Sequence, residues 1–156
     1  EAGRCGDGID KSQKDSTDLT ILPQHFSSSP ISTYKKLLDS AMLSYAMQHW
    51  NCISRSDIIS VVEPMVIQHY APGGGFKEWH CERNNLDNIT RHLVFMTYLN
   101  TVSEGGTDFY HQEVTIEAIK GRTVFWPSDW THTHKGQINY KEEKFIITGW
   151  YNMVDV

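Results

Sequence analysis

The 156-residue chain has little cysteine: Cys5, Cys52 and Cys81 are its only thiols, and no C-x-x-C pair occurs among them. An odd, unpaired set argues against a disulfide framework or a cysteine-built zinc site, and it predicts a reducing, cytoplasmic setting. Long hydrophobic runs are missing too. No apolar stretch reaches the ~18–20 residues that cross a bilayer, and no signal peptide is visible, so no membrane partner is expected. Positive charge is scarce: 14 Lys and Arg stand against 19 Asp and Glu, a formal net charge of -5. A surface of that balance does not track a phosphate backbone, so nucleic acid is not an expected partner. Internal repeats and low-complexity tracts are absent. The triplet Asn88-Ile89-Thr90 is formally a glycosylation sequon, which the cysteine reading discounts. The first residue is Glu1 rather than methionine, which predicts a fragment or a processed form.

What is present fits one domain over residues 1–156, long enough to bury most of a core. Residues 1–30 are polar, carry Gly3, Gly6 and Gly8, and read as a peripheral, loop-rich segment. Within residues 31–50, Tyr34, Leu37, Leu38, Ala41, Met42, Tyr45, Ala46 and His49 recur at helical spacing. That pattern predicts an amphipathic helix over 33–49, with Ser32 as its N-cap. From residue 58 to 153 the period changes. Short β-forming runs follow at Val61-Val62, Met65 to Ile67, Leu93 to Met96, Val114 to Ile116, Thr123 to Trp126 and Phe145 to Ile147. Glycine- and proline-rich turns separate them, the pattern of a β-sandwich or barrel with a helical buttress.

Eight histidines invite a search for a metal site. His25, His49, His92 and His111 have no chelating neighbour in sequence and read as structural, and His69 reads the same way beside its turn. Trp79-His80-Cys81-Glu82 differs. In an extended segment residues i and i+2 point to one side, so His80 and Glu82 can grip one ion. A distant histidine would complete a two-histidine, one-carboxylate face, which leaves three positions open on Fe(II). Thr131-His132-Thr133-His134 offers two candidates on one face, and spacing within the segment does not choose between them. A mutual His132–His134 chelate, closer to a zinc site, is the other arrangement.

From Val62 to Tyr151 the chain resembles the Fe(II)/2-oxoglutarate oxygenases of the prolyl 4-hydroxylase type. The resemblance rests on six pieces in the family's order. They are the turn Tyr70-Ala71-Pro72-Gly73-Gly74-Gly75 leading to His80; Arg91 with Tyr98-Leu99-Asn100; Gly105 to Phe109; Gly121 to Pro127; His134-Lys135-Gly136; and Lys144 to Trp150. It implies a double-stranded β-helix, a jelly-roll barrel with cupin-like architecture. It implies Fe(II), 2-oxoglutarate and O2 as cofactors, with ascorbate as an accessory reductant. The family places a basic residue about ten positions after the distal iron histidine. Lys144 follows His134 by ten residues and His132 by twelve, so the resemblance selects His134 as the ligand. It further implies that Lys144 and Tyr98 hold the far carboxylate of 2-oxoglutarate, that Tyr70 lines the pocket, and that Arg91 and Trp150 meet substrate at the opening. Glu82 departs from the aspartate usual in prolyl hydroxylases, lengthening the ligand arm by one methylene. The family's usual N-terminal helix is shortened or missing.

The expected activity is hydroxylation of an unactivated C–H, with a prolyl residue of a peptide or protein favoured over a free amino acid or other small molecule. The competing expectation is a non-catalytic, cupin-like metal- or ligand-binding module. Repair demethylation of nucleic acid is disfavoured by the acidic balance.

Overall fold

The computed structural model describes residues 1–4, 8–53 and 59–154; Cys5, Gly6 and the residue 58 boundary used above lie outside them. Helix α1 spans Ile31–Gln48 and a short α2 spans Trp50–Ile53. Eleven strands are described: β1 (Lys14–Asp15), β2 (Thr17–Ile21), β3 (Ile59–Ser60), β4 (Met65–Tyr70), β5 (Gly75–Phe76), β6 (Arg91–Tyr98), β7 (Val102–Phe109), β8 (Val114–Ala118), β9 (Thr123–Pro127), β10 (His134–Gly136) and β11 (Lys144–Met153). The large antiparallel sheet runs β2-β4-β11-β6-β9, with β3 paired to β11. A smaller sheet runs β10-β7-β8, and β1 pairs with β5. This is the expected double-stranded β-helix, buttressed by α1.

Strand periodicity sorts the large sheet into two faces. On β11, Ile147 and Tyr151 point to the helix side, where they meet Met65, Leu93 and Phe95 under Leu38 and Met42 of α1. The alternate residues Val94, Met96, Tyr98, Ile146 and Tyr70 point into the barrel and meet Phe109 and Trp126. Hydroxyls pin the helix as well: Tyr34 Oη lies 2.9 Å from Thr97 Oγ1, and Tyr151 Oη donates to Asp39 Oδ1 at 3.1 Å. Gly149 is opposite Phe95 in the register, and a Cβ there would come within 2.5 Å of Phe95 Cζ. Close packing of the ring on the strand requires the missing side chain.

Four local expectations need correction. The N-terminal segment is not all loop, because Thr17–Ile21 forms the edge strand β2 along β4. Only Ile21 of that strand is buried, so its sequence carries almost no period-2 signal. Helix α1 begins at Ile31 after Pro30, with no side-chain cap, rather than at a Ser32 cap. Leu37, expected on the buried face, is 68% exposed, because the packed stripe runs through Leu38 and Met42 instead. Val61 is buried but lies just beyond β3 rather than within a strand.

Candidate metal centre and its pocket

His80 and His134 come from opposite ends of the barrel sequence and meet as a bridge. The His80 N–H donates to the His134 carbonyl at 3.0 Å, and the His134 N–H returns the bond at 2.9 Å. His134 opens β10, whereas Trp130–His132 form a single 3-10 turn. The two histidines of the Thr131–His134 segment therefore do not share one extended face, which corrects the sequence expectation. The His132 ring stands edge-on to Phe109, while its carbonyl accepts from Nδ1 of His134 at 2.9 Å. His80 Nδ1 donates in the same way to the Glu78 carbonyl at 2.9 Å. A carbonyl only accepts, so each Nδ1 carries a proton and each Nε2 is the nitrogen left for the site.

Both Nε2 atoms face Glu82. Its Oε1 lies 3.5 Å from His80 Nε2 and 3.6 Å from His134 Nε2. One ligand atom from each residue falls within 4.8 Å of the others, the only such group among the described residues. Burial pushes the Glu82 carboxyl up, but hydrogen bonds and charge from His134 and His80 outweigh it and hold it well below the usual carboxylate range. A carboxylate and two imidazoles held by their outer nitrogens are a donor set that fits Fe(II).

The centre sits in a cavity of about 530 Å3. Its wall follows the strand alternation: Val66, Gln68 and Tyr70 of β4, and Lys144, Ile146, Thr148 and Trp150 of β11, all face in. Lys144, which the charged run Lys141 to Lys144 disguises as a surface residue, is buried at 5% exposure. Its ammonium donates to the carbonyls of Gly105 and Gln137, each at 2.9 Å. No carboxylate among the described residues forms an ion pair with it. Burial pulls its pKa down to about 8, against a small upward pull from Asp108. Tyr98 Oη bonds Thr107 Oγ1 at 2.7 Å, and Tyr70 donates to Gln68 Oε1 at 2.5 Å with its ring 5.3 Å from the Lys144 ammonium.

Arg91 and Trp150 also line the cavity, but as a stacked pair: the guanidinium carbon lies 3.5 Å from the indole centroid. Arg91 is further engaged with Glu63 at 2.6 Å, so its charge faces protein carboxylates. Its inward aim comes from a β-bulge. The pairing shifts between Tyr151–Leu93 and Asn152–Arg91, which brings Arg91 to the cavity where simple alternation would place His92. Sequence reasoning missed this bulge. It also missed Gln68, Thr107 and Trp126, all cavity residues; strand alternation from Tyr70 was enough to find the first. Asp18 and Thr20 of β2 were missed because their segment read as loop.

Residues 65–152 match the family model of the 2OG-Fe(II) oxygenase superfamily, more than half of the chain. The chain belongs to that superfamily. It is a Fe(II)- and 2-oxoglutarate-dependent dioxygenase, and its cofactors are Fe(II), 2-oxoglutarate and O2. The oxygenase fold is shared with several solved structures. A viral collagen prolyl hydroxylase from Paramecium Bursaria Chlorella virus-1, solved with 2-oxoglutarate, is 19% identical, with a TM-score of 0.70 over 91% of this chain and 81% of its own. A Trichoplax adhaerens prolyl hydroxylase in complex with a hypoxia inducible factor peptide fragment is 20% identical, with a TM-score of 0.72 over 97% of this chain and 70% of its own. A Pseudomonas putida prolyl-4-hydroxylase is 16% identical, with a TM-score of 0.67 over 93% and 76%. Among curated proteins none matches the chain. No helix among the described residues is long and apolar enough to cross a membrane.

Proposed function

We propose that His80, Glu82 and His134 hold the iron, that Lys144 holds the far carboxylate of 2-oxoglutarate, and that the enzyme hydroxylates a prolyl residue of a peptide or protein. The observation that carries the co-substrate assignment is the buried Lys144 ammonium, which donates to two carbonyls, forms no ion pair among the described residues and shares a cavity with the three metal-ligand candidates. A carboxylate arriving there gains a charge-assisted hydrogen bond, worth ~1.5–3 kcal/mol. The Tyr98 hydroxyl, now on Thr107, lines the same cavity and is a second donor for that carboxylate.

Bound iron supplies the oxygen activation that converts 2-oxoglutarate and O2 to succinate and CO2 while one oxygen atom enters the substrate C–H. This chain's residues do the rest. The two histidines present Nε2 to the metal, Glu82 supplies negative charge, and the inward apolar residues Met96, Trp126 and Ile146 exclude water around them. The peptide reading is supported by the folds of the solved prolyl hydroxylases, one of them with a peptide bound. Proline-containing peptides, offered with Fe(II), 2-oxoglutarate and ascorbate, should gain one oxygen atom and yield succinate in equal amount. A free amino acid or small molecule hydroxylated in preference, with no peptide modified, would replace this substrate assignment.

A further inference from the structure

Glu82 ends in two chemically equivalent oxygens on a flexible arm, and an unrestrained glutamate can give a metal either one or both. Here the two are distinguished. Oε1 faces the Nε2 atoms of His80 and His134, at 3.5 and 3.6 Å. Oε2 receives the Trp150 indole N–H at 3.2 Å and lies 3.7 Å from an Arg91 amino group.

The indole is itself held. Arg91 covers its face at 3.5 Å, and the Arg91 Nε and second amino group bond Glu63 at 3.0 and 2.6 Å. Asn152 in turn donates to Glu63 at 2.6 Å. Asn152 and Trp150 sit on either side of the β11 irregularity, so the bulge that turns Arg91 inward also assembles this chain of contacts.

We infer that Trp150 is a positioning residue: its N–H occupies the outer oxygen of Glu82, so the carboxylate offers the metal Oε1 alone. This rests on the reading of His80, Glu82 and His134 as metal ligands. Single-oxygen binding keeps a coordination position open that a two-oxygen glutamate would fill, and that position is needed when both 2-oxoglutarate and O2 must bind.

The test uses the intact chain without oxygen, with Mn(II) for affinity and Co(II) for its visible absorption, which reports coordination number. Trp150→Phe keeps an aromatic ring beneath Arg91 and removes the N–H along with part of the indole. The variant should bind Mn(II) about 10-fold more weakly, the low end for loss of a partner behind a metal ligand, and its Co(II) spectrum should shift as Oε2 joins the metal. Glu82→Asp withdraws the carboxylate from the indole, so adding Trp150→Phe to Glu82→Asp should change Mn(II) affinity by less than about twofold. Cooperative unfolding of the metal-free Trp150→Phe variant at unchanged denaturant slope checks that the fold is retained. His134→Ala tests the underlying reading, and full Mn(II) affinity in that variant would overturn both. If His134→Ala loses the metal while Trp150→Phe keeps parental affinity and spectrum, the positioning role alone is overturned. Additive losses from Trp150→Phe and Glu82→Asp would overturn it as well.

Discussion

His80 and His134 exchange both of their backbone hydrogen bonds, so two residues 54 positions apart in the chain are fixed as cross-strand partners by the main chain itself. Their rings stand 4.3 Å apart between centroids, with both Nε2 atoms turned to Glu82. The two histidines are therefore held together by main-chain bonds that no side-chain substitution removes directly.

His134→Ala should abolish iron-dependent turnover and metal binding, because it removes one of three ligand atoms and leaves the backbone bridge in place. His132→Ala should keep a substantial part of the activity, since its ring packs edge-on to Phe109 and its carbonyl, which serves His134, is retained. Metal analysis of the purified variants reads the difference.

Lys144→Met should raise the 2-oxoglutarate needed for half-maximal rate about 10- to 100-fold, the loss of one charge-assisted hydrogen bond, with iron affinity little changed. If both fall together, Lys144 has another role. The proton on this lysine also sets a pH dependence. Its pKa in the folded protein is depressed to about 8 by burial, so the free enzyme loses the ammonium above that pH. Apparent 2-oxoglutarate affinity should be constant below pH 8 and weaken as pH rises beyond it. The rate at saturating 2-oxoglutarate should change less, because the bound carboxylate holds the proton on. In Lys144→Met this alkaline weakening should disappear.

Lysine burial has a stability consequence of definite sign. Between pH 8 and the lysine's ordinary value of 10.5 the unfolded chain carries the proton and the folded chain does not. Stability contributed by this group therefore rises with pH across that window. Chemical denaturation of the parent and Lys144→Met at two pH values isolates the contribution.

Gly149→Ala should destabilise the fold by about 1–3 kcal/mol through overpacking, because the added methyl meets the Phe95 ring at 2.5 Å. Leu38→Ala on the helix face should cost about 2–5 kcal/mol, since Leu38 is 2% exposed against the large sheet. Denaturant midpoints at unchanged slope would establish both.

The fold class was readable because helix and strand periods are separated in the chain: Leu38 and Met42 fall on one helical stripe, and Val94, Met96 and Tyr98 alternate with Leu93 and Phe95. His80 and Glu82 were readable from local spacing. The choice of His134 over His132 was not, since it depends on a 3-10 turn that spacing does not reveal. Arg91 illustrates a second limit: its inward aim follows from a register shift against β11, a relation between strands rather than a property of its own segment. Lys144 sits at the end of a run of charges, and only its pairing beside Tyr70 of β4 makes it an interior residue. The β2 strand was hidden because an edge strand with one buried residue takes its order from its neighbour's hydrogen bonds.

Whether His80, Glu82 and His134 hold an iron to which 2-oxoglutarate binds against Lys144 is decided by an anaerobic titration of the Fe(II) protein with 2-oxoglutarate. A weak visible charge-transfer band should appear, saturate with added 2-oxoglutarate, be lost in His134→Ala, and need much more 2-oxoglutarate in Lys144→Met. A Fe(II) protein that shows no band at any concentration, or a band unaffected by His134→Ala, would contradict that assignment.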